Sequence, residues 1–414
     1  MTPTPRAALV VAGAAGSFLL VGRLGILVVL AALTAIVVDA VVVRRPPQSN
    51  RSVPSILPRG QSFPFRVGID SPFKRRALVR QPHPPDLLIS PDEAVGGLDG
   101  TILARRRGGH ELDPVVVRSV GPLGLGAWQH RVGDSVEVTV YPDVVTARHI
   151  ARAVAQGRFA EQGTRRTPRL GLGTEFESIR EFTPDDDVRQ MNWRATMRLG
   201  KPMSNQYRVD QDRDVICVVD VGRLMGSPLG PLTRLDTAVD AVAAIAYTAD
   251  ALGDRVGVVA FDQAVVRSLS PRRRGGEAVV HAVHDLEPTG AESDYEAAFR
   301  AVARGKRGLV VLFTDLLEEA AAGPLLESIP ILSRTHQVVI AANRDVDLSS
   351  AIEDDPADTY AVYRSAVAVE ALEARDRVVG QLRHVGAIVV QADPGKLPAA
   401  CVAAYIDAKA LARV

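Results

Sequence analysis

The sequence predicts a multidomain chain: an N-terminal transmembrane helical hairpin, a β-sandwich-like domain, then an α/β domain built on a doubly wound parallel sheet. Three observations carry this. Residues 7–43 are almost uncharged, interrupted only by Arg23 and Asp39. Residues 46–145 are rich in proline and in short apolar–polar alternations. Residues 212–414 alternate short apolar runs with Ala-rich amphipathic stretches. A chain of 414 residues has room for all three parts and at least one sizeable core.

The stretch Ala7–Val43 is too long for one ordinary span and suits two, because a spanning helix needs roughly 20 apolar residues. Gly22-Arg23-Leu24-Gly25 offers a turn, so the expected spans are about 7–21 and 24–43. The second is the better span, with Asp39 near one end where a carboxylate reaches the interface. The first is short and rich in Ala and Gly. A cleaved signal peptide would have only Arg6 as its basic region and no A-x-A site, and a single span is the remaining alternative. Arg44, Arg45 and Arg51 follow the second span, and positive flanks prefer the cytoplasm. A multi-pass cell-membrane protein with its body facing the cytoplasm is therefore expected. Cys217 and Cys401 lie in apolar runs without a C-x-x-C pattern. That suits two buried thiols in a reducing compartment and argues against disulfide or zinc frameworks.

In residues 46–145 the prolines exclude long helices. The runs 62–70, 115–120 and 135–141 alternate with period two, which sets one face on a core and one in water. Several such runs between Gly/Pro turns suggest a sandwich of immunoglobulin type without its cysteine pair. Arg105-Arg106-Arg107 before Gly108-Gly109 reads as a hairpin tip, with a membrane-facing role as an alternative. Residues 146–163 read as a helical linker.

Beyond residue 212 the runs 215–219, 256–261, 309–313, 337–341 and 387–390 read as strands buried on both faces. Helical stretches at 235–252, 277–286, 295–303, 366–384 and 397–411 lie between and after them. Alternating β and α argues for a doubly wound parallel sheet, whose ligands sit beyond the carboxyl ends of the strands. Those ends carry Asp220, Asp262, Asp315 and Asp393.

Lys+Arg of 49 against Asp+Glu of 48 gives a net charge of +1, without the basic surplus that nucleic-acid binding rests on. No G-x-x-x-x-G-K-[ST], G-x-G-x-x-G or G-x-S-x-G occurs, so ATP hydrolysis, dinucleotide binding and α/β-hydrolase chemistry have no motif behind them. His281 and His284 stand three apart without a third ligand nearby. Arg272-Arg273-Arg274 reads as a solvated basic loop.

The most distinctive stretch is 176–198. Thr183 suits a helix cap, Pro184 the first helical position and Asp186 a capping-box acid. Asp185 and Arg189 are four apart, and Gly200 supplies a stop. The order of Arg180, Glu181, Phe182, Pro184, Asp186, Asp187, Arg189 and Trp193, with Asn192 where Asp is usual, resembles the family called domain of unknown function 58. The family's usual Pro-Gly-Asp stands here as Pro184-Asp185-Asp186, without its glycine. The resemblance extends over nearly the whole chain. It implies two N-terminal spans, a β-rich region and a C-terminal domain similar to the von Willebrand A fold. It further implies an adaptor or assembly role beside a MoxR-type AAA+ ATPase, with no established enzymatic activity.

Von Willebrand A domains hold a divalent cation through D-x-S-x-S, a later Thr and a later Asp. The corresponding residues here are Asp220, followed by Gly222 and Leu224 in place of both serines, then Ser293 and Asp315. Hard cations such as Mg²⁺ want a nearly complete oxygen shell. The expectation is a degenerate site whose aspartates are capped by Arg223 or by backbone N–H groups. A weak Mg²⁺ site, completed by water with Asp262 or Asp294, is the alternative. The leading expectation is a membrane-tethered interaction protein. A metal-dependent hydrolase using Asp220 and Asp315, and a structural envelope scaffold, are the rivals.

Overall fold

The computed structural model describes the whole chain except residues 1, 23, 158–174, 184–187, 189–190, 209–212, 304, 316–318, 354–357 and 412–414. The chain divides into two units, Met1–Tyr141 and Pro142–Val414.

In the first unit β1 (Thr2–Pro3) leads into α1 (Pro5–Val21), and α2 (Leu24–Val42) follows and packs on it. Gly22 turns the chain with φ 58°, a left-handed conformation that favours glycine. Within α2, Gly25–Val42 is long and apolar enough to cross a membrane, by length and composition, and it is the one such helix among the described residues. The expectation of two spans is thus met by one. The turn at Gly22 stops α1 after 17 residues, at the lower end of the lengths that span a bilayer. Arg23, expected in that turn, lies outside the described residues.

The rest of this unit is β structure: β2 (Gln48–Ser52), β3 (Ile56–Pro58), β4 (Ser62–Asp70), β5 (Ala77–Arg80), β6 (Leu87–Ser90), β7 (Glu93–Val95), β8 (Gly97–Ala104), β9 (Gly108–Leu112), β10 (Val115–Val120), β11 (Gly126–Val132) and β12 (Val136–Tyr141). The alternation in β4 is realised directly, with Phe65, Val67 and Ile69 buried and their neighbours exposed. They join Leu57, Leu112 and Val140 in one core. Three sheets surround it, in the orders β1-β11-β10-β5-β7, β2-β4-β8-β6 and β3-β12-β9. This differs from a two-sheet antiparallel sandwich, because β3 pairs parallel with β12 from the far end of the unit. Residues 105–107 cross from β8 in one sheet to β9 in another, so they form no hairpin tip, and Arg107 is buried.

In the second unit α3 (Val144–Ala155) is capped by Asp143, whose carboxylate accepts from Thr146 N at 3.0 Å. Its residues Ala147, Ile150, Ala151 and Val154 are buried, and α3 packs along α5 (Arg234–Leu252). The expected linker helix is therefore part of the unit. Next come β13 (Glu175–Glu181), α4 (Trp193–Leu199) and β14 (Met203–Arg208), with β13 and β14 antiparallel.

The main sheet takes β15 (Asp214–Asp220) at its centre. A small ribbon, β16 (Pro228–Leu229) and β17 (Leu232–Thr233), precedes α5. Then follow β18 (Arg255–Phe261), β19 (Val265–Arg273), α6 (Gly276–Val283), α7 (Tyr295–Ala303), β20 (Gly308–Phe313), α8 (Glu319–Leu332), β21 (Gln337–Asn343), α9 (Val346–Glu353), α10 (Thr359–His384), β22 (Ile388–Ala392) and α11 (Leu397–Leu411). The order is β19-β18-β15-β20-β21-β22, parallel except for the antiparallel edge strand β19, which occupies the expected Arg272–Arg273 loop. One face of the sheet, through Ile216, Val218, Val310 and Leu312, packs on residues of α7, α8 and α10. α5 and α11 pack on the sheet and on each other. From β15 the chain runs outward to β18 and β19, then returns to β20 on the other side. Such a reversal opens a crevice at the carboxyl ends of the two strands flanking it. Those ends are Asp220 and Thr314–Asp315.

Candidate functional site

Asp220 ends β15 and is buried. Its Oδ1 accepts from Ser293 Oγ at 2.6 Å and from Gly222 N at 2.8 Å. Its Oδ2 accepts from Thr314 Oγ1 at 2.7 Å and from Tyr295 OH at 3.5 Å. Burial pushes the Asp220 carboxyl above its ordinary range, while these four donors pull the other way. Tyr295, first residue of α7, is pushed up beyond the usual phenol range by burial and by the Asp220 charge. A Cβ at Gly222 would lie 2.2 Å from Ser293 Oγ and 3.0 Å from Ala291 O. The glycine standing where a serine was expected is therefore what lets Ser293 reach Asp220.

Asp315 meets a different partner. Arg234, the first residue of α5, has its Nε 3.0 Å from Asp315 Oδ2 and its Nη2 2.6 Å from Asp345 Oδ2. The Arg234 and Asp315 side chains are only 3% and 1% exposed. Arg375 of α10 is buried beside them and donates from Nη2 to Asn343 O. Burial lowers its pKa, and the Asp315 charge opposes that shift. Asn343 in turn donates from Nδ2 to Thr237 Oγ1 at 2.7 Å. Arg223, the expected neutralising cation, instead donates from Nε to Glu292 at 3.0 Å on the surface. The sequence offered one signal for Arg234: a cation in the first turn opposes the helix dipole, so it needs acids to hold it there.

The structure thus joins Ser293 to Asp220 and gives Asp315 to a guanidinium. Asp262 and Asp294 are engaged elsewhere: Asp262 Oδ1 accepts from Ala264 N at 3.1 Å and Asp294 Oδ1 from Ala297 N at 3.0 Å. A hard cation needs carboxylate and hydroxyl lone pairs turned towards it. Asp220 has both oxygens occupied by donors, Asp315 faces Arg234, and position 222 has no room for a side chain. The residues present do not fit a divalent cation. Among the described residues no group of three or more His, Cys, Asp or Glu is arranged to hold one.

The distinctive sequence segment forms a second feature. Arg180 and Glu181 lie in β13, paired with Ser204 and Met203 of β14. Helix α4 begins at Trp193, capped by Asn192, whose Oδ1 accepts from Ala195 N at 2.8 Å. The start expected with Thr183 as cap and Pro184 as first helical position falls on residues 184–187, outside the described residues. Asn192 Nδ2 also donates to Asn205 Oδ1 at 2.7 Å, which an aspartate could not do. Gly200 ends α4 at φ 68°, as its position predicts. Pro184, Asp185, Asp186, Asp187 and Arg189 lie outside the described residues.

The geometry defines an α/β protein whose sheet edge is closed by its own hydrogen bonds and ion pairs, with a capped helix carried on a strand pair. Residues 178–380 match the family model described as Protein of unknown function DUF58. Uncharacterized proteins Mb1516 of Mycobacterium bovis and Rv1480 of Mycobacterium tuberculosis are each 27% identical over 189 residues, 43% of this chain. The chain spans 58% of the length of these curated relatives. Among solved structures, a mutant SrpA adhesin from Streptococcus sanguinis matches 23% of this chain and 58% of its own at 14% identity. Its TM-score of 0.16 defines no shared fold.

Proposed function

We propose that the chain is a membrane-anchored interaction protein of the DUF58 family, held in the bilayer by α2 with α1 alongside, its body on the cytoplasmic side. Its second unit, similar to a von Willebrand A domain, acts without a metal ion. It offers α4 to a protein partner, a MoxR-type AAA+ ATPase being the class the family resemblance implies. In this reading it assists assembly or maturation of other proteins and catalyses no reaction.

The observation that carries this reading is the exposure of α4. Trp193 is 65% exposed, Met197 83% and Leu199 54%. Trp193 and Met197 are four apart and share a helix face. Arg194 and Arg198 flank them, also exposed. Large apolar side chains left in water on a helix fixed at both ends, with a basic rim, have the make-up of a binding hot spot. The buried polar edge at Asp220 supports the same reading, since its carboxylate is enclosed by hydroxyls and offers no open position to a substrate.

Capture of a MoxR-type ATPase by the detergent-solubilised full chain tests this. The expected result is nucleotide-dependent capture that Trp193→Ala with Met197→Ala reduces about tenfold, with the thermal melt unchanged. Equal capture by wild type and variant removes α4 as the contact, and no capture above control removes the ATPase as the partner.

A further inference from the structure

At the end of α2 the chain makes an unusual junction with the β-rich part of the first unit. Asp39, one turn before the end of the helix, is buried, and its carboxylate accepts three backbone amides of the 121–126 loop. Oδ1 takes Leu123 N at 2.8 Å, and Oδ2 takes Leu125 N at 2.8 Å and Gly126 N at 2.9 Å. A Cβ on Gly121 would lie 2.3 Å from Asp39 Cγ, and one on Gly126 would lie 2.6 Å from Ala40 Cβ. Both glycines are needed for that approach. Thr4, just before α1, donates from Oγ1 to Gly124 O at 2.6 Å. Beyond α2 a ring nitrogen of His130 meets Val43 O at 3.0 Å. The loop is therefore fixed at the level where both helices meet the β structure.

Cations gather around this loop. Arg76 donates from Nη1 to Gly121 O at 3.2 Å and to Pro122 O. Arg6 Nη1 lies 3.3 Å from the place of a Cβ on Gly124. Arg44 stacks over Trp128 at 6.0 Å from the ring centroid. Lys74 and Arg75 adjoin Arg76, and Arg45 adjoins Arg44, and all five are exposed. At the loop's tip Leu123 is 61% exposed. The acid at the centre, Asp39, is consumed by the loop amides.

We propose that this surface is a binding site for the phosphate headgroups of anionic phospholipids, gripped by Arg6, Arg44, Arg45, Lys74, Arg75 and Arg76 while Leu123 enters the interface. The inference rests on the reading of α2 as a membrane span. The choice of a lipid surface as occupant follows from continuity. Arg6 and Arg76 lie at the loop that holds the end of the apolar helix, and Arg44 follows that helix. Arg45, Lys74 and Arg75 adjoin them in sequence, and the exposed Leu123 lies at the loop's tip. Basic side chains beside a span favour anionic lipid by about fivefold each.

Native mass spectrometry of the full chain in detergent, titrated with dihexanoyl phosphatidylglycerol or dihexanoyl phosphatidylcholine, tests the site. The expected result is at least tenfold tighter binding of the anionic phosphatidylglycerol. Lys74→Glu with Arg75→Glu, which leaves the loop contacts of Arg76 in place, removes that preference without moving the thermal melt. Equal binding of the two lipids overturns the proposal. Displacement of the lipid by inorganic phosphate at matching concentration overturns it in favour of a soluble anion. Flotation of the chain with pure phosphatidylcholine vesicles tests the anchor separately: failure to float removes the span while the micelle titration still reads the headgroup site.

Discussion

Helices α2 and α5 are each 19 residues long, and both are built largely from Ala, Val, Leu and Ile. Their surroundings separate them. In α5 nearly every residue from Arg234 to Ala249 is buried in protein, and each of its four charges has a partner there. Arg234 holds Asp315 and Asp345, Asp236 completes the cap with Thr233, Asp240 accepts from Asp143 N and Asp250 accepts from Gly276 N. In α2 the side chains of Leu27, Leu30, Val38 and Val41 are open, and one charge, Asp39, is matched by backbone amides. Apolar composition alone does not separate a core helix from a span. The separation comes from what meets the large side chains and how each charge is answered.

Removing the answer to a charge should break the comparison most. Arg234→Met takes from buried Asp315 and half-buried Asp345 the guanidinium that bridges them, with Arg375 the cation that remains beside them, and the expected loss is about 3–5 kcal/mol. The urea midpoint of the full chain in detergent measures it, and adding Asp315→Asn and Asp345→Asn should restore more than half. On the α2 side, Asp39→Ala strands three amides and should cost about 2–4 kcal/mol. It is read as a lower melting temperature of the first unit through Trp128 fluorescence, with Asp39→Asn intermediate because its one carbonyl oxygen still accepts. Gly222→Ser restores a motif serine but forces it against Ser293, and should cost about 1–3 kcal/mol. Millimolar Mg²⁺ should leave the melting temperature of that variant unchanged, and a rise would show that a cation can be seated after all.

The smallest effect concerns His336, buried just before β21. Burial holds its pKa below 6.5, against the pull of the Gly308 backbone and the Asp214 charge. The unfolded chain then takes up the proton more readily than the folded one. The contribution is fully present above 6.5 and is lost as the pH falls through the lower folded value. The urea midpoint should decline between about pH 7 and pH 5, and His336→Phe should flatten that slope.

Much of the fold was legible because its signals are local. The runs at 215–219, 256–261, 309–313 and 337–341 are continuous and apolar, and each became a strand buried on both faces. α5 was legible as the Ala-rich stretch 235–252, and the structure adds the Thr233–Asp236 capping box that starts it and the left-handed Gly253 that ends it. The edge strand β19 did not, since its exposed alternation, Val265 to Arg273, looks like a basic loop until β18 is seen beside it. The parallel pairing of β3 with β12 joins segments some eighty residues apart, a distance over which periodicity carries no information. The candidate site was half legible. Asp220, Ser293 and Asp315 were named from their order, but Arg223 was taken as the cation because it stood close in sequence. Arg234 reaches Asp315 only through the crossing of α5 over the strand ends.

On the proposed reading of α2 as a span, the three amides on Asp39 have a mechanical consequence. A helix joined to a folded body by a slack chain tilts freely beneath it. Here the β structure grips the last turn of α2, so any tilt of the helix must be shared by the first unit. With α2 in a bilayer, hydrocarbon thickness sets that tilt. A thinner or thicker membrane would then turn the first unit relative to the plane of the lipid, coupling membrane composition to the bearing of its surface.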